Sequence, residues 1–138
     1  MDLVLTPRRR HAATLMLAGL AMLAGTARAA GPSGNAANGA TLFATHCAEC
    51  HSVREGKDKK GPTLFAVMGR AAAASPGFVY SDALKASGIH WTPNELDAYM
   101  AAPKQRVPGG KMKFDGLPSA AERADLIAYL SALPPTAK

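Results

Sequence analysis

The chain has only two cysteines in 138 residues, and both fall within five positions of one another. A framework of disulfides is therefore excluded, and no cysteine is left over for a second site. Aromatic residues make up just 6% of the chain, so aromatic packing cannot dominate the interior. No stretch alternates apolar and polar residues as a half-buried strand does, and no segment repeats. A transmembrane helix needs about 20 consecutive apolar residues, and the longest apolar run, Ala12–Gly25, falls short of that. Acidic residues are in deficit, with 10 against 16 basic ones and a formal charge of +6.

The apolar run and half of that charge belong to one segment. Arg8, Arg9 and Arg10 precede the run, and Ala27-Arg28-Ala29 follows it as an A-x-A cleavage signal. That order reads as a secretory signal peptide, the alternative being an uncleaved amino-terminal anchor. We expect residues 1–29 to be removed and residues 30–138 to fold as a single small domain in the periplasm. The leader carries four arginines and one aspartate, or +3. The remaining domain is therefore only mildly basic, which gives no argument for binding nucleic acid.

What the chain does have is Cys47-Ala48-Glu49-Cys50-His51. C-x-x-C-H is the signature of c-type haem attachment. Two thiols at this spacing can each bond one vinyl group of the same porphyrin, and the adjacent histidine can offer a ring nitrogen to the iron. The rival readings are weaker. A thiol–disulfide redox motif usually accompanies a βαβ pattern, which is absent. A structural zinc site wants four ligands, and no second C-x-x-C or H-x-H cluster exists. A simple disulfide in an exported protein remains the third alternative.

Around this motif the periodicity is helical. Ala36, Ala40, Phe43 and Ala44 recur at helical intervals between about Asn35 and Thr45. Gly39 interrupts that helix at up to about 1 kcal/mol relative to alanine, which suggests close approach of another helix. Ser52–Gly61 reads as a polar loop ending in Gly61-Pro62, and Thr63–Gly69 as one or two turns of helix. Ser81 caps a short helix through Ala86. Thr92-Pro93-Asn94-Glu95 is a capping box with proline at the first helical position. It starts a helix to about Ala101 with Leu96, Tyr99 and Met100 inward. Lys104–Leu117 reads as an irregular loop around Met112. Ser119-Ala120-Ala121-Glu122 opens a last helix that buries Leu126, Tyr129, Leu130 and Leu133. The fold class is all-α.

A haem iron held by one histidine keeps a sixth position, and its occupant decides function. The candidates after the leader are Met68, Met100, Met112, His46 and His90. Met100 sits on a core-facing helical position, where packing is its default role. His46, at a helix end, reads as facing solvent. Met112 lies in a glycine-rich loop that can deliver a long side chain to a buried metal.

From Gly39 to Leu130 the chain resembles class I c-type cytochromes, in particular the soluble bacterial proteins close to mitochondrial cytochrome c. Gly39 and Phe43 resemble the first helix, Gly61-Pro62 the loop that orients the axial histidine, and Pro108-Gly109-Gly110-Lys111-Met112-Lys113-Phe114 the methionine-ligand loop. Gly77-Phe78-Val79-Tyr80-Ser81, Ile89-His90-Trp91 and Tyr99 resemble the stretches lining the haem, and Arg123–Leu130 the terminal helix. The resemblance implies one haem c attached through Cys47 and Cys50, with His51 and Met112 as axial ligands. It also implies a Pro62 carbonyl bonded to His51, Arg70, Tyr80 and Trp91 near a propionate, and Tyr99 in the haem wall. The implied function is a monomeric, non-enzymatic electron carrier of the respiratory-chain type. The alternatives are an open-iron enzyme or a sensing module or haem subunit. Two departures stand out. Leu84 and Gly110 occupy positions where the family often has asparagine and threonine. Losing those polar groups should loosen the methionine loop and ease its displacement at alkaline pH, by Lys111.

Lys59, Lys60, Lys104, Arg106, Lys111 and Lys113 gather in the loops expected around the haem edge. As a basic ring they would steer the protein onto acidic docking patches of redox partners, such as a quinol–cytochrome c reductase or a terminal oxidase.

Overall fold

Asn35 caps the first helix of the computed structural model, which describes residues 33–133. Its side chain accepts hydrogen bonds from the N–H groups of Ala37 (2.9 Å) and Asn38 (3.1 Å), satisfying two donors that a helix start leaves orphaned. The helices are α1 (Ala36–His46), α2 (Asp82–Lys85), α3 (Pro93–Ala101), α4 (Pro103–Arg106) and α5 (Ala120–Ser131). Ser81, Thr92 and Ser119 cap α2, α3 and α5 through their hydroxyls. All-α is the correct class. Among the described residues the only β pairing is an isolated antiparallel bridge between Ala71 and His90.

Helices α1 and α5 cross with their backbones almost touching. A Cβ on Gly39 would lie 2.0 Å from the Asp125 carbonyl oxygen and 2.7 Å from the Tyr129 Cβ. Phe43 and Tyr129 pack beside the crossing with ring centroids 5.6 Å apart and planes tilted by 46°. Asp125 extends the contact by accepting the Asn35 N–H at 2.6 Å and the Asn38 side-chain amide at 3.3 Å. Its carboxylate thus sits at the positive end of α1. Asp125→Ala should cost the holoprotein about 1 kcal/mol, since the bonds are charged but exposed. Urea unfolding with an unchanged slope and a lowered midpoint would show it.

Buried Phe43, Leu96, Met100, Leu126 and Leu130 from α1, α3 and α5 meet Val67, Ile89 and Trp91 from the intervening loops to form one core.

Two expectations need correction. Residues 63–69 form successive turns rather than helix. Ala66 takes a left-handed conformation (φ 47°) that stops helix propagation. The carbonyls of Thr63 and Phe65 are held by the Arg70 guanidinium at 2.9 and 3.0 Å. The segment after α3 is also not wholly irregular. Pro103 both ends α3, by lacking an N–H, and occupies the first position of α4, where no N–H is needed. The leader, residues 1–29, lies outside the described residues. No helix among those described is long and apolar enough to cross a membrane.

Candidate haem site

Cys47 caps the C-terminus of α1, and the chain keeps turning beyond it. The N–H groups of Cys50 and His51 both donate to the Cys47 carbonyl, at 3.0 and 2.8 Å. This tight turn brings Cys47, Cys50 and His51 to one wall of a cavity of about 450 Å³, within the ~300–1,000 Å³ typical of cofactor sites. The two thiols are half-buried and not bonded to each other. Burial, reinforced by the neighbouring Cys50, pushes the Cys47 thiol up to about 11. A Cys47 thiol held uncharged in an apolar wall suits conversion to an uncharged thioether. Among the described residues no group of three or more His, Cys, Asp or Glu side chains is gathered for a metal ion, so a zinc site has no ligand set.

His51 is fixed from behind. Its Nδ1 lies 2.7 Å from the Pro62 carbonyl oxygen. A carbonyl only accepts, so Nδ1 carries the proton and Nε2 keeps its lone pair for a metal. Burial lowers the His51 pKa, which favours the neutral ring; the Pro62 bond opposes this less strongly. Gly61 makes the approach of Pro62 feasible, because a Cβ there would sit 2.5 Å from His51 Cε1 and 2.8 Å from Nδ1. The Gly61 N–H also donates to the Cys50 carbonyl at 2.8 Å, tying this loop to the attachment turn.

Leu64, Val67, Leu96, Met100, Leu126 and Leu130 supply apolar lining, and Met112 reaches the same cavity from the loop after α4. Arg70, Tyr80, Trp91 and Tyr99 line it as well. Trp91 and Tyr99 pack at 5.1 Å between ring centroids. The Tyr80 hydroxyl accepts the Ser75 N–H at 3.2 Å, so its own proton is free to donate. The Arg70 Nε–H is buried and has no partner among the described residues. An orphaned charged donor of this kind is costly, and the carboxylate of a bound group would satisfy it. Burial raises the Tyr99 pKa and keeps its hydroxyl protonated. The cavity, its apolar lining and the unpartnered Arg70 donor all fit a large planar group bearing acidic substituents.

Of the other candidate ligands, His46 borders the cavity but is exposed, His90 is exposed away from it, and Met68 packs against the core. Met100 shares the cavity but is buried on α3 beside Leu96. Leu84 and Gly110 also face the cavity. The steric demand on Gly61 escapes a reading of the sequence, because Gly61-Pro62 looks like an ordinary turn signal.

The basic ring is partly neutralised. Lys60 pairs with Glu49 at 2.5 Å, Lys104 with Asp115 at 2.7 Å and Arg106 with Glu95 at 2.6 Å. Lys59 donates to the Ala48 carbonyl, a neutral acceptor that leaves its charge in place. Lys111 and Lys113, on either side of Met112, are exposed and have no ion-pair partner among the described residues.

An all-α domain whose cavity wall carries two free thiols and an oriented histidine in the C-x-x-C-H turn defines a c-type haem protein. The cytochrome c family model matches residues 36–134. The chain is 49% identical over 102 residues to a cytochrome c-type cyt cy of Rhodobacter capsulatus, covering 74% of this chain but only 51% of that protein. It is 48% identical over 100 residues to cytochrome c of Theileria parva, covering 72% of this chain and 86% of the other. It is 45% identical over 102 residues to cytochrome c2 of Rhodopila globiformis, covering 74% and 96%. The chain belongs to the cytochrome c family, a family of haem-containing electron carriers. It carries haem c bound covalently through Cys47 and Cys50.

Proposed function

We propose that the protein is a soluble, monomeric carrier that moves one electron at a time between redox complexes and makes or breaks no bond in a substrate. His51 and Met112 serve as the axial ligands. The observation that carries this reading is the meeting, in one cavity, of His51 held by Pro62 and of Met112 from an independent loop. The bound haem supplies the one-electron couple; the protein's part is to hold it still and dry. Pro62 fixes the His51 tautomer and raises its basicity. Met112 closes the sixth position with a soft thioether and leaves no room for a substrate. Arg70, Tyr80 and Trp91 receive the acidic substituents, and the leucines and valine of the lining exclude water. Removal of residues 1–29 releases the domain, residues 30–138, into the periplasm.

The optical spectrum of the holoprotein tests the ligation. The ferric form should show the weak far-red band of methionine ligation, and the ferrous form should not shift under carbon monoxide. Met112→Ala should abolish the band and admit carbon monoxide. Prompt carbon monoxide binding by the parent would instead mean an open iron and an enzyme or sensor.

Docking uses acidic patches on partners such as a quinol–cytochrome c reductase or a terminal oxidase. With Lys60, Lys104 and Arg106 already paired with carboxylates, Lys59, Lys111 and Lys113 carry most of the ring's unneutralised charge. The double variant Lys111→Glu, Lys113→Glu should lower the bimolecular rate with such a partner by about tenfold or more at low salt. The gap should close as ionic strength approaches 1 M, where the Debye length falls to about 3 Å. Parent rates that do not depend on salt would count against electrostatic docking.

A further inference from the structure

The loop that carries Met112 is attached at its two ends and almost nowhere between. Across residues 108–116 the one backbone hydrogen bond among the described residues is Gly110 N–H to the Val107 carbonyl, at 3.0 Å. The outgoing end is fixed by α4 and by the buried Val107. The returning end is fixed more elaborately. Gly116 presses on α3, where an added Cβ would lie 2.2 Å from the Ala101 carbonyl oxygen. The N–H of buried Leu117 donates to the Met100 carbonyl at 2.8 Å.

Arg123 completes this anchor from α5. Its Nη1 donates to the carbonyls of both Leu117 and Pro118, at 2.8 Å each. Its Nε and Nη2 engage the two carboxylate oxygens of Asp97 on α3, at 2.8 and 3.4 Å. The side chain is only 11% exposed, so the bonds are shielded from competing water. One guanidinium thus clamps the return leg of the loop to two helices, α3 and α5, whose Leu96, Leu126 and Leu130 line the haem cavity.

From these contacts we infer that Arg123 is a positioning residue for Met112: it sets where the return leg starts and so how firmly the thioether is held toward the iron. The inference rests on the reading of Met112 as the sixth ligand. Between Met112 and Leu117 no backbone hydrogen bond constrains the leg, and its one side-chain tie among the described residues is the solvent-exposed Lys104–Asp115 pair, so its direction follows chiefly from its buried anchored end. The planar fork is needed because a lysine ammonium cannot bridge a bidentate carboxylate and two carbonyls at once.

Imidazole, which competes with methionine for ferric iron, reads the hold directly. In holoprotein, Arg123→Lys should bind imidazole at least about tenfold more tightly than the parent, the lower end of what a lost charged hydrogen bond costs. The far-red band should weaken, and amide hydrogen exchange should quicken at Leu117, whose N–H is bonded to the Met100 carbonyl, while that of α1 stays protected. Asp125→Ala is the control: it loosens α5 from α1 at the other face and should lower global stability without a tenfold gain in imidazole affinity. Asp97→Asn, which leaves the two carbonyl contacts in place, should move imidazole affinity in the same direction by less, and it decides the matter if Arg123→Lys does not fold. Imidazole affinities that track global stability alone across the three variants would overturn the inference. A parent with no far-red band would overturn the ligation reading and this inference with it. A parent band that is lost in Met112→Ala but insensitive to Arg123 and Asp97 would overturn only the positioning role.

Discussion

Gly61→Ala should unseat His51, the proposed axial ligand. The added methyl would stand 2.5 Å from His51 Cε1 and 2.8 Å from Nδ1, so either the ring turns or the loop withdraws. Both outcomes break the 2.7 Å bond from Nδ1 to the Pro62 carbonyl. Loss of such an orienting partner typically costs about 10–100-fold in metal affinity. Haem should remain attached through Cys47 and Cys50, while the ferrous spectrum becomes sensitive to carbon monoxide on the histidine side. Overpacking should lower stability by about 1–3 kcal/mol. The cause is contact and not backbone conformation, because Gly61 has an ordinary φ. Gly88 is the useful contrast: it has φ 65° but open space around it. Gly88→Ala should therefore cost only about 1–2 kcal/mol of left-handed strain and leave the haem spectrum alone. If Gly61→Ala and Gly88→Ala proved spectroscopically indistinguishable, the steric account of Gly61 would fail.

The sequence announces elements that are decided locally. Helices α3 and α5 could be read because Thr92 and Ser119 cap them, and α1 because its apolar residues recur at helical intervals. The C-x-x-C-H turn was legible for the same reason, since its chemistry is compressed into five positions. What could not be read depends on residues brought together by the fold. Residues 63–69 look helical until Arg70 reaches back for two of their carbonyls. The loop cations look free, yet Lys60, Lys104 and Arg106 each find an acidic partner 11 positions away. Arg123 left one faint trace: it lies three positions before buried Leu126, on the helical face where an unpaired charge would be out of place. The partners that explain it, Asp97 and two loop carbonyls, come from elsewhere in the chain.

Gly39→Ala separates two physical effects of opposite sign. Helix propensity alone says that alanine should stabilise α1 by about 1 kcal/mol. The crossing with α5 says the reverse. The new Cβ would lie 2.0 Å from the Asp125 carbonyl oxygen, 2.7 Å from its carbon and 2.7 Å from Tyr129 Cβ. Backbone atoms of a packed helix have no rotamer to give, so the two helices must part. Parting them would pull on the Phe43–Tyr129 contact and on the Asp125 bonds to Asn35 and Asn38. It would also displace Leu126 and Leu130, which line the haem cavity from α5. We expect a net loss of about 3 kcal/mol or more, the upper range for overpacking, which is a large fraction of the stability of a small domain. Denaturant unfolding of the holoprotein measures it. Because α5 bears both the cavity lining and the Arg123 contacts to the Met112 loop, the far-red band expected of the proposed Met112 ligation should weaken below the unfolding transition. A variant as stable as the parent or more so would mean that α1 and α5 approach less closely than this crossing requires, and that Gly39 is a helix defect without a packing role.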